Sequence, residues 1–318
     1  MDKTWDEARK VRLLQLSASQ IETYRDCHRK WWLDKVRKLP TRSSHSQVFG
    51  TVVHSVIERF LLADDLGRDT ATGLPVNLYP TDWHVAKDRW GKKCEAKDCG
   101  PRCGACHGTG LLCEGAISPM EQDDVKRLIA SAIENGVLER LPGRRVEAGF
   151  TRTILKHDCP ACAGVEAPFE GGKCLKCKGD GKGTTVTLTG FVDVLFRDQV
   201  QDHKTTSAMR WAKSPAALQK NTQMLIYAYE ALEQAKARGE PLPATIILRH
   251  NVYCAKENKV RKTETSVSRE AVETHWSQVL RDCAHMVELR DIADTWHDIK
   301  EPDNPATVCN AYGGCPFR

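Results

Sequence analysis

The sequence predicts an α/β fold that carries two cysteine-rich insertions. Runs of alternating, β-branched residues typical of strands are interspersed with longer segments of helical periodicity. Two short segments, 91–116 and 158–183, interrupt this pattern with clustered Cys, Gly and Lys. A length of 318 residues with 41% hydrophobic residues favours a single domain, 1–318, with insertions over two independent domains.

The first elements along the chain are helices. Ser17, with Gln20 three residues later in a capping box, begins a helix through LSASQIETYRDCHRKWWLDKV. A second helix, GTVVHSVIERFL, places His54 and Glu58 four residues apart on one face. Ser118, followed by proline, begins a third.

Aromatic and basic residues cluster at the end of the first helix. Trp31 and Trp32 stand among five basic residues, which are Arg29, Lys30, Lys35, Arg37 and Lys38. Such a mixture suits single-stranded DNA, through phosphate neutralisation and base stacking. The same tryptophans are equally compatible with a place in the core.

Strands dominate the second half. VEAGFTRTILKH and TTVTLTGFVDVLF are neighbouring strands, and the turn-like Arg197–Asp198 joins the second to a strand through residues 199–202 as a hairpin. Ser214, followed by proline, begins a helix through NTQMLIYAYEALEQA. The strands ATIILRHNVYC and KVRKTETSV and a helix from Ser268 to about Trp296 complete the core.

The predicted hairpin carries two acidic residues and a lysine with the chemistry of a metal site. Asp193 lies within one strand, and Asp202 and Lys204 share a face of the next. Carboxylates suit Mg²⁺ or Mn²⁺, and a neighbouring lysine suits the negative charge that develops during phosphodiester hydrolysis. An ordinary surface hairpin with a salt bridge is the alternative.

The order of these pieces resembles the PD-(D/E)xK nucleases of the RecB-like branch, including the CRISPR-adaptation exonucleases and the AddB nuclease. Five pieces match in the order of the family and span both ends of the chain. They are the cysteine-bearing first helix YRDCHRKWWL, G-x-x-x-H from Gly50 to His54, G-x-x-D from Gly190 to Asp193, D-x-K from Asp202 to Lys204, and Q-x-x-x-Y from Gln223 to Tyr227. The resemblance implies a restriction-endonuclease-like core, a mixed sheet flanked by helices.

The resemblance also implies a role for each matching residue. The metal ligands would be His54, Asp193 and Asp202, the catalytic lysine would be Lys204, and the DNA contacts would be Gln223 and Tyr227. Without the resemblance, His54 would be interpreted as a buried, hydrogen-bonded histidine, and the last two residues as packing residues of an amphipathic helix. At the position of Asp202 the family more usually has Glu, and the shorter side chain of Asp202 reaches less far toward the metal.

The 14 cysteines point to metal rather than to disulfides. The N-terminal MDKTWDEARKVR is charged and unlike a signal peptide, and no apolar run reaches the roughly 18 residues of a membrane span. We therefore expect a cytoplasmic protein without membrane association, in which clustered cysteines bind metal.

Two cysteine groups have the spacing of structural zinc sites. One C-x-x-C pair, Cys159 and Cys162, is followed after eleven residues by a second, Cys174 and Cys177, and together they predict one tetrahedral site at the tip of a hairpin. CLKCKGDG and CGACHGTG resemble the DnaJ-type zinc domain. Four thiolates close the metal's coordination shell, so these sites are structural. The other group predicts a site from Cys99, Cys103, Cys106 and Cys113, with Cys94 as a close rival and His107 as a bystander.

A third group links the two ends of the chain. Cys27 in the first helix and Cys309 and Cys315 in the tail, 300–318, resemble the pattern that holds a [4Fe–4S] cluster in iron–sulfur members of the branch. Such a cluster takes four thiolates, and the tail supplies only two. A ligand beyond residue 318, substitution by Cys283 or Cys254, or a degenerate site are the open alternatives.

The expected activity is that of a Mg²⁺- or Mn²⁺-dependent DNA exonuclease acting on single-stranded DNA or DNA ends. The resemblance places such enzymes in recombination, repair, phage DNA metabolism or CRISPR spacer acquisition, with recombination or helicase proteins as possible partners. A zinc-dependent DNA-binding module and an inactive nuclease subunit of a larger helicase–nuclease complex are the alternatives.

Overall fold

The computed structural model describes residues 5–6, 11–39, 45–62, 78–79, 117–157, 184–292 and 299. Within these ranges the chain forms strands alternating with α-helices, as the sequence predicts. The strands are β1 (Trp5–Asp6), β2 (Val11–Leu16), β3 (Arg145–His157), β4 (Thr184–Leu195), β5 (Gln199–Thr205), β6 (Thr245–Cys254) and β7 (Lys259–Ser268). The α-helices are α1 (Ala18–Asp26), α2 (His28–Trp31), α3 (His45–Leu62), α4 (Pro119–Glu134), α5 (Pro215–Leu218), α6 (Thr222–Ala237) and α7 (Arg269–Ile292).

The seven described strands form one mixed sheet, which confirms the predicted α/β class. Strand β4 pairs antiparallel with β3 and β5 and parallel with β2. Strand β5 then pairs parallel with β6, and β6 pairs antiparallel with β7. The hairpin between β4 and β5 is confirmed, but its ladder is short, with only the pairs Val194–Gln201 and Leu195–Val200.

The sheet forks at β4. One edge of this strand pairs with β3 along its whole length, whereas the other edge pairs with β2 at Thr184–Leu188 and with β5 at Val194–Leu195. Among the described strands, residues 189–193 of that second edge therefore have no strand partner. We call this gap the fork, and Asp193 lies at its end.

A hydrophobic core covers each face of the sheet. The first includes buried residues of α1, α6 and α7, and the second those of α3 and α4. Val192 belongs to the first core and Val194 to the second. Residues two apart on a regular strand face the same side, so the regular alternation of β4 is broken at Asp193, which lies between them. The side chain of Asp193 is 16% exposed.

Two predicted helices are broken where a side chain caps a new helix. The first predicted helix stops at Cys27, whose backbone is extended and whose Sγ accepts a hydrogen bond from the Lys30 N–H. The helix expected to begin at Ser214 is two helices, because the Asn221 side chain accepts from the Met224 N–H and starts α6 afresh. The prediction of a continuous helix was wrong at both places, because a local side-chain cap competes with propagation of the preceding helix.

The adjacent tryptophans are core residues. Trp31 is fully buried and Trp32 is 2% exposed, both in the first core. A stacking platform for DNA requires exposed rings, so of the two interpretations left open by the sequence, the place in the core is the one that the structure supports. None of the described helices has the length and apolar character that a membrane span requires.

Candidate active site

The fork brings Asp193 against β5. Its Oδ2 accepts a hydrogen bond of 2.7 Å from the His203 N–H, a donor that the short hairpin ladder leaves without a β4 carbonyl. The same oxygen lies 3.6 Å from Nδ1 of His54 on α3. Asp193 and His54, which are predicted ligands of one metal, are therefore neighbours.

A glycine allows α3 to approach the sheet this closely. Gly50 lies one helical turn before His54, and a Cβ at Gly50 would stand 2.8 Å from the Thr205 Oγ1 on β5. Real Cβ atoms do not approach other heavy atoms at that distance. The glycine of G-x-x-x-H thus sets the separation between His54 and β5.

Asp202 and Lys204 form an ion pair in the floor of the site. The side chain of Asp202 is only 1% exposed, and the Lys204 Nζ lies 3.0 Å from its Oδ1 and 2.9 Å from its Oδ2. Burial alone would lower the pKa of Lys204, but the carboxylate of Asp202 outweighs it and raises that pKa. Lys204 is therefore a charged ammonium next to two carboxylates.

Gln223 and Tyr227 face the same carboxylate from α6. The Gln223 Nε2 donates to Asp202 Oδ1 at 3.2 Å and to the Tyr227 hydroxyl at 2.9 Å. Tyr227 is 6% exposed. Both residues lie beside Asp202 as predicted, and the DNA contact stays a prediction.

Glu58 and Glu147 add to the negative charge of the site. Burial, and then Asp202, raises the pKa of Asp193 well above its usual value. Burial, then Glu58 and Asp202, raises the pKa of Glu147. Glu147 lies across from Asp193 in the β3–β4 ladder and has a φ of 48°, unusual for a non-glycine residue. No sequence motif marks Glu147; only its place in the hairpin register could have indicated it.

Three histidines of the site are neutral at pH 7. Burial lowers the pKa of His54, that of His203 to about 3, and that of His250 to about 4. His203 Nδ1 lies 3.0 Å from the Tyr253 hydroxyl. His250 on β6 was not singled out from the sequence, yet its Nε2 lies 3.4 Å from Asp202 Oδ2. A neutral imidazole keeps a lone pair that a metal requires.

A family model identifies the superfamily to which the chain belongs. The model of the PD-(D/E)XK nuclease superfamily matches residues 15–318, nearly the whole chain, including all the residues just described. The chain belongs to this superfamily. Among curated proteins, none matches the chain in sequence.

Solved structures of similar proteins have low sequence identity to this member of the PD-(D/E)XK superfamily. A candidate exonuclease from Eubacterium rectale is 11% identical, with 97% of this chain and 95% of that chain covered and a TM-score of 0.44. The protein SSO0001 is 13% identical, with 56% of this chain covered and a TM-score of 0.27. This chain spans 64% of the length of SSO0001.

PD-(D/E)XK nucleases usually use divalent cations such as Mg²⁺ or Mn²⁺, and the residues present fit such an ion. Asp202 Oδ2 is buried and accepts no hydrogen bond of normal geometry among the described residues. Carboxylate oxygens with a neutral histidine form a suitable donor set. In the described ranges, however, no three His, Cys, Asp or Glu side chains already stand as a metal-binding group. Lys204 supplies the positive charge next to Asp202 instead.

The cysteine predictions fall mostly outside the described residues of this chain. Cys27, Cys254 and Cys283 are described, and all three are buried. The predicted zinc and iron–sulfur sites are not tested by the described residues, and they stay predictions. The cysteines that lie outside the described ranges are the ligands of the hairpin-tip zinc site, Cys159, Cys162, Cys174 and Cys177, those of the other zinc site, Cys99, Cys103, Cys106 and Cys113, their rival Cys94, and the tail residues Cys309 and Cys315.

Proposed function

We propose that this PD-(D/E)XK protein is a Mg²⁺- or Mn²⁺-dependent deoxyribonuclease, an exonuclease that hydrolyses phosphodiester bonds in single-stranded DNA or at DNA ends. The observation that supports it best is the contact between a buried carboxylate, Asp202, and the ammonium of Lys204 at 2.9 Å, beside Asp193 in the fork. An ion pair that only stabilises the fold would need a single carboxylate. Here a second one, Asp193, lies nearby, and its raised pKa means that its negative charge is unfavourable in this place. Unfavourable charge of this kind is typical of a functional site.

Each residue has a role that follows from its position. Asp193, Asp202 and His54 are the ligands that would hold the cation. When bound, the cation orients and acidifies water and offsets negative charge on the phosphate. Lys204, charged and 42% exposed at its side chain, extends from Asp202 toward solvent and stabilises charge on the phosphate oxygens during attack.

An exposed aromatic side chain near Asp193 favours single-stranded DNA. Phe191 is 64% exposed, so its ring is accessible to solvent. The ring covers Gly149, where a Cβ would stand 3.1 Å from it. A flat, accessible ring about 7 Å along the strand from Asp193 is a stacking surface for an unpaired base.

Cleavage of labelled DNA tests the proposal. With Mn²⁺ and end-labelled single-stranded DNA, the purified protein should release short products, and Lys204→Ala and Asp193→Ala should lose at least about 100-fold in rate. Lys236→Ala is the matched control, because Lys236 is 70% exposed on α6 and has a distant acidic partner, Glu233. It should cleave like the wild type.

Two outcomes would contradict the proposal. No cleavage by the wild type would favour a DNA-binding module or an inactive subunit of a helicase–nuclease complex. Cleavage that survives both substitutions would show that the active site lies elsewhere. Products of one nucleotide released from one end support an exonuclease, whereas internal cuts in circular single strands would make the protein an endonuclease.

The proposal includes structural metals outside the described residues. Two zinc ions would hold the insertions 91–116 and 158–183, and a [4Fe–4S] cluster would join Cys27 to the tail. Elemental analysis of anaerobically purified protein should find about two zinc ions and iron. Absence of iron would remove the cluster from the proposal. A cytoplasmic place in recombination, repair, phage or CRISPR DNA processing is part of the same proposal.

A further inference from the structure

Three buried polar residues lie in one row across the sheet. Asp202 on β5 is the register partner of His250 on β6, which is in turn the register partner of Thr263 on β7. Each of the three residues is at most 4% exposed. Within the described ranges, each has one buried polar atom without a hydrogen bond of normal geometry, namely Asp202 Oδ2, His250 Nε2 and Thr263 Oγ1. The first of these has the Lys204 ammonium 2.9 Å away as its ion-pair partner.

Burial without a partner is unfavourable, so the row calls for an explanation. An unsatisfied buried polar group costs about 1–3 kcal/mol, and such groups are few in native proteins. Here the two nearest ones already face each other, with His250 Nε2 and Asp202 Oδ2 separated by 3.4 Å. This distance is slightly long for a hydrogen bond, and a small movement of either side chain would form one.

Lys204 explains why that hydrogen bond is not already formed. Its ammonium covers both oxygens of Asp202, whereas its proposed task during cleavage lies at the phosphate. When Lys204 turns to the phosphate, Asp202 keeps the Gln223 amide on Oδ1 and needs a donor on Oδ2. The imidazole of His250, with its Nε2 3.4 Å from Asp202 Oδ2, is placed to supply it.

We propose that His250 is a positioning residue that fixes the Asp202 carboxylate in its cation-binding orientation. The inference rests on the proposed nuclease function, because it assigns the support of one proposed ligand. Residues that orient the ligands of a metal typically change its affinity 10- to 100-fold. His250 is not a catalytic residue, since it reaches the reacting groups only through Asp202.

Binding of Mn²⁺ alone, without DNA, tests this role. The rise of the thermal midpoint with Mn²⁺ concentration gives an apparent Kd, because a ligand of the folded state stabilises it. His250→Phe removes the donor and should raise the apparent Kd about 10- to 100-fold. His250→Gln keeps an N–H donor and should recover part of the affinity.

A threonine variant supplies the control. Thr265→Val, on β7 opposite Leu248, should bind Mn²⁺ like the wild type. Wild-type affinity in folded His250→Phe would overturn the inference. Where His250→Phe does not fold, wild-type affinity in folded His250→Leu overturns it instead. A wild-type protein without any Mn²⁺ response would refute the proposed cation site itself, and this inference with it.

Discussion

The substitution Gly50→Ala should impair catalysis without unfolding the protein. The added Cβ would lie 2.8 Å from Thr205 Oγ1, whereas ordinary contacts begin at about 3.4 Å. Helix α3 or Thr205 must therefore move by about 0.6 Å. His54 lies one turn further along α3, with its Nδ1 only 3.6 Å from Asp193. A misplacement of about 1 Å in an active site costs up to about 100-fold in rate, so we expect a loss of about 10- to 100-fold.

The stability of Gly50→Ala should change little, so that a loss of catalytic rate can be told apart from a loss of folding. Alanine is favoured over glycine in a helix interior by about 1 kcal/mol, and this gain offsets part of the steric cost. The assay is Mn²⁺-dependent cleavage alongside thermal denaturation. Adding Thr205→Ala should restore activity, because the next atom, Thr205 Cβ, is at an ordinary 4.0 Å. Full activity of Gly50→Ala alone, or no rescue in the double variant, would refute the reasoning.

Two further predictions concern charge and substrate. The pKa of Asp193 is raised in the folded protein, so ionisation of this group costs stability as the pH rises from the unfolded value of about 3.9 through the folded pKa. Asp193→Asn should therefore melt above the wild type at pH 8, while the two converge in acid; equal melting at pH 8 would contradict the shift. Phe191→Ala should weaken single-stranded DNA binding by about 1–3 kcal/mol in fluorescence anisotropy. Met120→Ala, 72% exposed on α4, is its control.

The order of elements was predictable because it depends on local patterns. The strands VEAGFTRTILKH and ATIILRHNVYC are β3 and β6 with boundaries shifted by one residue. The predicted start of a helix at Ser118 is confirmed, and Ser118 forms a capping box with Glu121 there. Local rules failed where two signals competed, at Cys27 and Asn221, because a side-chain cap there starts a new helix.

The site was only partly predictable because its members meet through tertiary structure. Asp193, Asp202, Lys204 and His54 carry motif spacing and do come together. Other contributors have no such spacing. Glu147 enters the site through the register of β3, and His250 through a parallel pairing that no short-range pattern encodes.

The pairing of β2 with β4 has a consequence for how the protein folds. Leu14 on β2 pairs with Val186 on β4, about 170 residues later, so a long loop must close before the fork exists. Loop closure over such separations slows folding. During synthesis, the site can therefore form only after β5 has left the ribosome. Both insertions that we propose to bind zinc lie inside this loop, and metal bound early would shorten it and speed its closure.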